Sequence, residues 1–426
     1  MRGTRPARSS AKHRGLKAMK NICCFTILLC GAMQWLNSAH ASVPTARKGV
    51  VQRLRGDWEE YVGPLVKDGT FRRRYRMSID DFNDLYDMLR PRLEKNEIKG
   101  GGRNGTVRGE WSLAGALRWL AGGTIEEVMM GPNVAKSTAY SMVHDGIEAI
   151  VRCDRLRIKF PTTEAELQKT ADGFRARSTE DVIKRCVGAA DGLIVRILKP
   201  SKSEHACPER FYSGHKKTVG VNLQATCDAN YIFTGASMNS PGSTNDRSAW
   251  SAGGWDERIA AIPGDYYIVG DAAYGPTEKM IVPYPGSNLE RSRDVTNYYQ
   301  SQGRMVIEQA FGILVRTWGI FHKPLEVPLC RTANVVHAAL RLHNFLRKRR
   351  ATPPLLLHGP ALNEDGVLTN PMFQAQNSGR SSGILSMARE KIRLDVERRM
   401  LVRPVHNVER NRCWTQPAAR GDSDSD

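Results

Sequence analysis

The sequence contains no closely spaced cysteine pair. Three of its nine cysteines fall in one apolar run near the N-terminus, and the other six are scattered singly: Cys153, Cys186, Cys207, Cys227, Cys330 and Cys413. Without a CxxC pair, the chain has neither the ligand spacing of a structural zinc site nor the framework of a small disulfide-rich protein. We therefore expect buried, reduced thiols.

The sequence also lacks an apolar segment long enough to cross a bilayer. Residues 22–36 are almost wholly apolar but number only 15, whereas a membrane-spanning helix needs about 20. This run follows a basic segment over residues 1–20 and precedes the small-x-small triplet Ala39-His40-Ala41, so the three parts of a secretory signal peptide are present. A helix behind a basic DNA-binding arm and a dispensable upstream extension are the alternatives. We expect no stable membrane association.

Positive charge is what the chain has in excess. Its 426 residues include 63 Lys and Arg against 44 Asp and Glu, a net charge of +19, and 41% are hydrophobic. The length allows about two or three domains, and the apolar share excludes a wholly disordered or fibrous chain. A surplus of this size attracts phosphate backbones or anionic lipid, and nucleic acid is the favoured partner.

Four segments are distinguished by composition and periodicity. Residues 1–48 form the basic leader, 49–160 are helical, 180–350 combine strands with helices, and 351–426 form a polar tail of low order. Within the helical segment, the apolar spacing over residues 77–93 predicts a helix that buries one face.

Three short helical patterns follow between residues 113 and 150. The second opens on Thr124 with Glu127 at the spacing of a capping box, and Gly131-Pro132-Asn133 breaks it. A longer helix then begins near Ala135. A short helix, a tight turn and a longer helix form the plan of a helix-turn-helix.

In a helix-turn-helix the first turn of the longer helix faces DNA. The residues there are Lys136, Ser137 and Thr138. The face predicted to hold this helix on its own domain carries Tyr140, Val143 and Ile147. An ordinary helical bundle packed on the next domain is the alternative.

From residue 182 the periodicity changes to that of strands. The predicted strands cover residues 185–197, 217–227, 231–238 and 266–270. The first three have hairpin-type connections, which predicts an antiparallel start to the sheet. A short helix over 245–253 and a long helix within 295–318 complete the order. This is the order of an RNase H-like α/β domain, a mixed sheet with flanking helices, here preceded by an all-α, helix-turn-helix-like segment.

Acidic residues fall where this topology would bring them together. The middle of the first strand should lie beside the end of the fourth, so Asp191 and Asp271 can reach one point. Glu308, on the late helix, is a third acid, and Asp246, at the start of the short helix, is a fourth. Converging carboxylates repel one another unless a cation neutralises them, and hard oxygen ligands select Mg²⁺ or Mn²⁺. Two such ions can promote phosphodiester cleavage or joining. For any single acid, a cap or turn role is the alternative.

Six blocks of sequence occur in order around these acids. They are Ala190-Asp191-Gly192, Gly214-His215-Lys216-Lys217, Gln224-Ala225-Thr226-Cys227-Asp228, Pro241-Gly242-Ser243-Thr244-Asn245-Asp246, Gly270-Asp271-Ala272-Ala273-Tyr274 and Arg304-Met305-Val306-Ile307-Glu308-Gln309-Ala310-Phe311-Gly312. Together with the later Leu342-His343-Asn344-Phe345, they resemble the Harbinger-type DDE transposases and their domesticated nuclease relatives. The resemblance extends over about residues 71–346.

The resemblance implies a divalent-metal DNA endonuclease or transposase. Asp191, Asp246, Asp271 and Glu308 match the family's acidic, metal-binding positions; the topology ranks Asp246 as auxiliary and the other three as catalytic. A separate DNA-binding partner protein is also implied, and a homo-oligomer is a further expectation. A domesticated, non-catalytic DNA-binding or adaptor protein is the alternative. Work on DNA predicts a nuclear location, whereas a functional leader would direct the chain to the secretory pathway.

Basic residues near the blocks are candidate phosphate contacts. They are Lys199, Lys202, His215, Lys216, Lys217 and Arg304. A solvated surface is the alternative for each lysine. Phe211, Tyr212 and Trp250 are candidates for stacking on an unpaired base, with core packing as the favoured alternative.

Overall fold

The computed structural model describes residues 54–94, 106–178, 182–349 and 393–394. The predicted leader and nearly all of the predicted tail lie outside these ranges. No helix among the described residues is both long enough and apolar enough to cross a membrane.

The first part of the described chain is helical. Its helices are α1 (Trp58–Lys67), α2 (Thr70–Tyr75), α3 (Ile79–Leu93), α4 (Gly109–Leu120), α5 (Ile125–Met130), α6 (Lys136–Arg152) and α7 (Glu164–Arg177). The predicted capping box is present at α5, where the Thr124 side chain accepts from the Glu127 amide and the Glu127 carboxylate accepts from the Thr124 amide. A second capping box, formed by Thr163 and Glu166, starts α7.

A tight turn over residues 131–135 joins α5 to α6, as the Gly-Pro-Asn break predicted. α6 packs on α4 so closely that a Cβ on Gly146 would lie 2.6 Å from the Ser112 carbonyl oxygen. Val143 and Ile147 lie on the buried face, but Tyr140 is 54% exposed. The prediction that Tyr140 holds the helix on its domain was therefore wrong, because the buried face passes through Ala139 instead.

A mixed sheet forms the second part of the fold. Its strands are β1 (Cys186–Arg196), β2 (Tyr212–Ser213), β3 (Thr218–Cys227), β4 (Phe233–Pro241), β5 (Tyr267–Val269) and β6 (Met280–Ile281). β1 pairs antiparallel with β3, and β3 with β4, so the predicted antiparallel start is confirmed. β5 lies parallel to β1, and β6 lies parallel to β5. The strands run in the order β4-β3-β1-β5-β6, and β2 pairs with the first residues of β3.

Helices flank the sheet. They are α8 (Asp246–Ala252), α9 (Trp255–Ala260), α10 (Arg291–Thr317) and α11 (Leu329–Arg349). Ala189 belongs to the same apolar cluster as Phe311 of α10, whereas the next residue, Ala190, belongs to a cluster with Trp250 of α8 and Trp255 of α9. Since neighbouring strand residues point to opposite faces, α10 covers one face of the sheet and α8 with α9 the other. The predicted α/β class, with a mixed sheet between helices, is confirmed.

The helical part and the sheet part are joined by direct contacts. Arg341 of α11 donates to the carbonyl oxygens of Ile150 and Cys153, at the end of α6, at 3.3 and 2.9 Å. A Cβ on Gly319 would lie 2.6 Å from the Ala121 carbonyl oxygen, so backbone packs on backbone here. One apolar cluster includes residues of both parts.

The cysteines divide into two groups. Cys153, Cys186 and Cys227 are buried and free, as predicted. Cys207 and Cys330 are exposed, so the expectation of buried thiols was wrong for these two. Cys207 lies in the connection that leads into β2, and Cys330 lies in the first turn of α11.

Candidate active site

Strand pairing brings Asp191 and Asp271 to the same level of the sheet. Ala189 of β1 is the parallel partner of Val269 of β5. Each aspartate lies two residues further along its chain, and neighbouring strands are about 4.8 Å apart. The middle of β1 therefore lies beside the end of β5, as the predicted topology required.

Glu308 reaches this level from α10. Ile307 and Phe311 hold the helix against the sheet with at most 1% of their surface exposed. Glu308 follows Ile307 on α10 and forms an ion pair with Arg304, which lies one turn earlier on the same helix. The Arg304 side chain is only 16% exposed. Although Arg304 was predicted to contact DNA, its guanidinium here binds an acid of the candidate site.

The pKa of Asp191 responds to the charges of Glu308, Asp246 and Arg304. The pKa of Asp191 is raised to about 7, chiefly by desolvation and also by the charges of Glu308 and Asp246, while Arg304 and a hydrogen bond from the Gly192 amide act in the opposite sense. Without a further cation, the Asp191 carboxyl is therefore partly protonated near neutral pH.

Asp246 is held by buried amides. Its Oδ1 accepts hydrogen bonds from Asn222 Nδ2 at 3.1 Å and from Gln224 Nε2 at 2.9 Å. The Gln224 Oε1 in turn accepts from the hydroxyl of Tyr274 at 2.6 Å. A Cβ on Gly192 would lie 2.5 Å from Asp246 Oδ1, so only glycine leaves room for this acid. Asp246 is thus fixed by the strand beneath it.

Asp246 approaches from the opposite face of the sheet to Asp191. Successive strand residues alternate between faces, and Asp246 packs on Gly192, the neighbour of Asp191. Asp191 follows Ala189 by two residues and so shares the face that α10 covers. Asp191, Asp271 and Glu308 therefore lie toward the same face of the sheet, a region here called the acid edge, with Asp246 behind it.

The side chains at the acid edge suit a hard divalent cation chemically. Carboxylate oxygens without cysteine or histidine are the ligands that Mg²⁺ and Mn²⁺ prefer. The half-buried Asp191 also lies near the negative charges of Glu308 and Asp246, whose repulsion a cation would relieve. In the part of the chain that the structure describes, no group of three or more His, Cys, Asp or Glu side chains is arranged to hold a metal ion. Arg304 is the cation paired with Glu308.

Two of the predicted DNA contacts, Lys216 and Lys217, lie away from the acid edge. Lys216 and Lys217 are exposed in the turn between β2 and β3. Asp191 pairs with Ala225, which lies seven residues along β3 from Thr218, the residue next to this turn. At about 3.3 Å per residue, the turn is therefore on the order of 20 Å from Asp191.

The remaining predicted contacts have varied environments. Lys136 is exposed and paired with Glu126 at 2.9 Å, Ser137 is exposed, and Thr138 is half-buried. Lys199, Lys202 and His215 are exposed. Of the candidate stacking residues, Trp250 and Phe211 are buried in the core, as the favoured alternative predicted, and Tyr212 is 50% exposed.

Three polar residues of the site were not predicted to act there. Asn222, Gln224 and Tyr274 are buried and connect to Asp246. A signal for the first two was present, because they are polar residues at alternate positions of an otherwise largely apolar strand. Alternate positions share one face of a strand, so both were placed to meet a single partner.

One family model matches the part of the chain that contains the sheet. Residues 190–344 match the family model described as DDE superfamily endonuclease. The matched range contains Asp191, Asp246, Asp271 and Glu308, and it begins in β1 and ends in α11. Comparisons with curated proteins and with solved structures gave no match. The superfamily of this domain is thus supported by sequence and by fold.

Proposed function

We propose that the chain is a divalent-metal-dependent DNA endonuclease of the Harbinger transposase type, with an RNase H-like catalytic domain. Asp191, Asp271 and Glu308 are the proposed catalytic acids and metal ligands. Asp246 was also predicted to bind the metal, but it lies on the other face of the sheet. We propose that it acts on the site only through its charge. The parallel pairing of Ala189 with Val269 carries this proposal, because it sets the two aspartates side by side. The family match over the same residues supports it.

The proposed chemistry is in-line displacement at a DNA phosphorus. A divalent cation, when bound, lowers the pKa of the attacking water or hydroxyl and stabilises the leaving oxygen. The three acids of the acid edge would hold such a cation on one face of the sheet. Asn222 and Gln224 fix Asp246 on the other face. Arg304 pairs with Glu308 in this structure. We propose that it moves to a phosphate oxygen when a cation compensates the acids instead.

DNA is the proposed partner over a wider surface than the acid edge. We place Lys136, Ser137 and Thr138 of α6 on DNA, in a helix-turn-helix mode, and Lys216 with Lys217 on a different stretch of backbone. The net charge of +19 supports this partner. A separate DNA-binding protein and a second copy of the chain remain proposed partners.

Plasmid nicking by the full-length chain tests the activity. We expect nicking of supercoiled DNA in Mg²⁺ or Mn²⁺ and none in chelator. Asp191→Asn and Glu308→Gln should each lower the rate at least a hundredfold, about 3 kcal/mol of lost transition-state stabilisation. Glu257→Gln is the matched control, because Glu257 is exposed on α9. Wild-type rates in both active-site variants would contradict the proposal.

The Arg304–Glu308 ion pair favours a second candidate, a non-catalytic DNA-binding or adaptor protein of the same fold. In such a protein a guanidinium replaces the cation permanently. It would bind DNA, cleave no substrate and show no thermal shift with Mn²⁺. An Mn²⁺ shift in the wild type that is absent in Asp191→Asn would decide for the enzyme.

We propose a nuclear location, since the proposed substrate is chromosomal DNA. A fluorescent reporter fused to residues 1–50 tests the alternative. Export of the reporter with cleavage after Ala41 would instead place the chain in the secretory pathway.

A further inference from the structure

A second charged site lies on the helical part, among residues that the proposed active site does not use. A cavity of about 430 Å³ is lined by Leu65, Thr70, Arg73, Arg74, Arg76 and Arg118. Three of its four arginines come from α2 and the residue that ends it, and Arg118 comes from α4. We call this site the arginine cavity.

The guanidinium groups of the cavity are incompletely neutralised. Arg118 binds Glu127 through both carboxylate oxygens, at 2.7 and 2.8 Å, and lowers the pKa of that acid. Arg74 donates to an uncharged group, the Tyr61 hydroxyl, at 2.7 Å. Within the described ranges, neither Arg73 nor Arg74 forms an ion pair with a carboxylate. Positive charge therefore remains at the cavity.

Arg76 is held in place by the backbone. It ends α2 in the left-handed region, at a φ of 66°, which is uncommon for a residue other than glycine. Its two terminal nitrogens donate to the carbonyl oxygens of Arg73 and Ala121, at 3.1 and 3.4 Å. Its Nε is buried and has no hydrogen-bond partner among the described residues. A buried donor without a partner is costly, and an acceptor bound in the cavity would remove that cost.

We propose that the arginine cavity binds a backbone phosphate of DNA. Guanidinium groups recognise phosphate through paired N–H donors, and several of them around one cavity select a polyanion over a neutral ligand. Among the residues that the structure describes, no aromatic side chain lines the cavity to stack a base, so its chemistry recognises phosphate and not a whole nucleotide. The site would hold DNA independently of the acid edge, and it does not require that edge to be catalytic.

Salt-dependent DNA binding tests this proposal. Fluorescence anisotropy of the full-length chain with a labelled duplex, measured in chelator, gives the slope of log affinity against log salt. We expect Arg73→Gln to lower that slope by about 0.9 and to weaken binding about eightfold at 0.1 M salt, since one phosphate contact is lost. Arg73→Lys should retain most of the slope because it keeps the charge.

Arg72→Gln is the matched control. Arg72 is exposed on the same helix, one residue away, and does not line the cavity. Its substitution should leave the slope unchanged. Equal effects of Arg72→Gln and Arg73→Gln, or no effect of either, would overturn the proposal. Thermal melting of each variant checks that the fold is retained, which is expected because the Arg73 side chain is exposed.

A separate measurement distinguishes DNA from free phosphate as the source of the ligand. If inorganic phosphate raises the melting temperature of the wild type but not of Arg73→Gln, while DNA binding is the same in both, the cavity is a free-phosphate site and the DNA proposal fails. Plasmid nicking at saturating protein reports on the acid edge alone. Failure of this inference is therefore distinguishable from failure of the proposed nuclease activity.

Discussion

The acid edge and the arginine cavity hold charges of opposite sign, and the chain fixes them by different means. At the acid edge, the aspartates follow paired residues of β1 and β5, so strand register sets their positions. Behind it, Asp246 is fixed by buried amide groups. In the arginine cavity the charges are carried by long side chains on a six-residue helix and its neighbours.

This difference predicts different responses to substitution. Around Asp246, Gln224 is fully buried, so water has no access when a hydrogen-bond partner is removed. Arg74 and Arg118 of the arginine cavity are half-buried, as is Tyr61, which accepts from Arg74 beside the cavity, so water can replace a missing partner. Polar contacts behind the acid edge should therefore stabilise the fold more than similar contacts of the cavity do.

The largest expected effect on the free energy of unfolding is that of removing the Tyr274 hydroxyl, compared here with removing the Tyr61 hydroxyl. Tyr274→Phe leaves the buried Oε1 of Gln224 without its donor, and we expect the free energy of unfolding to fall by about 1 to 3 kcal/mol. Tyr61→Phe removes the acceptor of Arg74, which solvent can replace, and a long 3.4 Å contact with the Tyr75 hydroxyl. It should lower the free energy of unfolding by about 1 kcal/mol or less. Urea denaturation at pH 7 measures both. A larger loss in Tyr61→Phe would reverse the comparison.

A smaller, pH-dependent effect is expected at the cavity from Glu127→Gln. The hydrogen bond from Arg118 holds the pKa of Glu127 below its ordinary value. A lowered pKa of an acid in the folded state stabilises the fold above the ordinary pKa, about 4.3, and that contribution disappears as the pH falls through the folded value. The pair is partly exposed and therefore screened, so we expect a loss of about 0.5 kcal/mol at pH 7.

Glutamine at position 127 can still accept from the Thr124 amide, so this substitution preserves the capping box and isolates the charge. Urea midpoints of wild type and variant, compared at pH 7 and at progressively lower pH, provide the test. The difference should shrink below about pH 4. A difference in urea midpoint that stays constant over this pH range would show that Glu127 stabilises α5 through packing and not through its charge.

The acid edge was more accessible to sequence reasoning than the arginine cavity. An apolar run predicted β1, and alternating apolar residues predicted β3. The predicted topology put the middle of the first strand beside the end of the fourth, so that Asp191 and Asp271 could meet, and the pairing of Ala189 with Val269 agrees with this. The alternating pattern of a strand can predict contacts between residues far apart in sequence, because the pairing register fixes which residues of two neighbouring strands lie opposite each other. The cavity instead joins α2 to Arg118, more than 40 residues later, and no periodic pattern relates these positions.

Side-chain partners were the least predictable feature. Tyr140 lies near the boundary of the apolar stripe of α6, so spacing alone did not assign its face. α7 was not predicted because only Leu167, Ala171 and Phe174 are buried along its 14 residues. Arg304 lies one helical turn before Glu308 and pairs with it. An arginine at this spacing can bind either the acid or a phosphate, so the sequence alone did not predict its partner.

The smallest expected effect concerns α6, where a lysine is both exposed and paired. Lys136 binds Glu126 at 2.9 Å, with more than half of each side chain exposed, so the pair is screened and Lys136→Ala should leave the melting temperature unchanged. If α6 contacts DNA, this variant should lower the salt slope of binding by at most about 0.9, because Lys136 must first leave Glu126.

Glu126→Gln sharpens this last test, since it releases Lys136 and removes a negative charge from the same surface. It should strengthen DNA binding, whereas Lys169→Ala, an exposed change on α7, should not alter it. Anisotropy titrations across a salt series measure all three variants. If Lys136→Ala and Glu126→Gln both bind as the wild type does, α6 is a scaffold helix, and the arginine cavity and the Lys216–Lys217 turn are left as the sites that hold DNA.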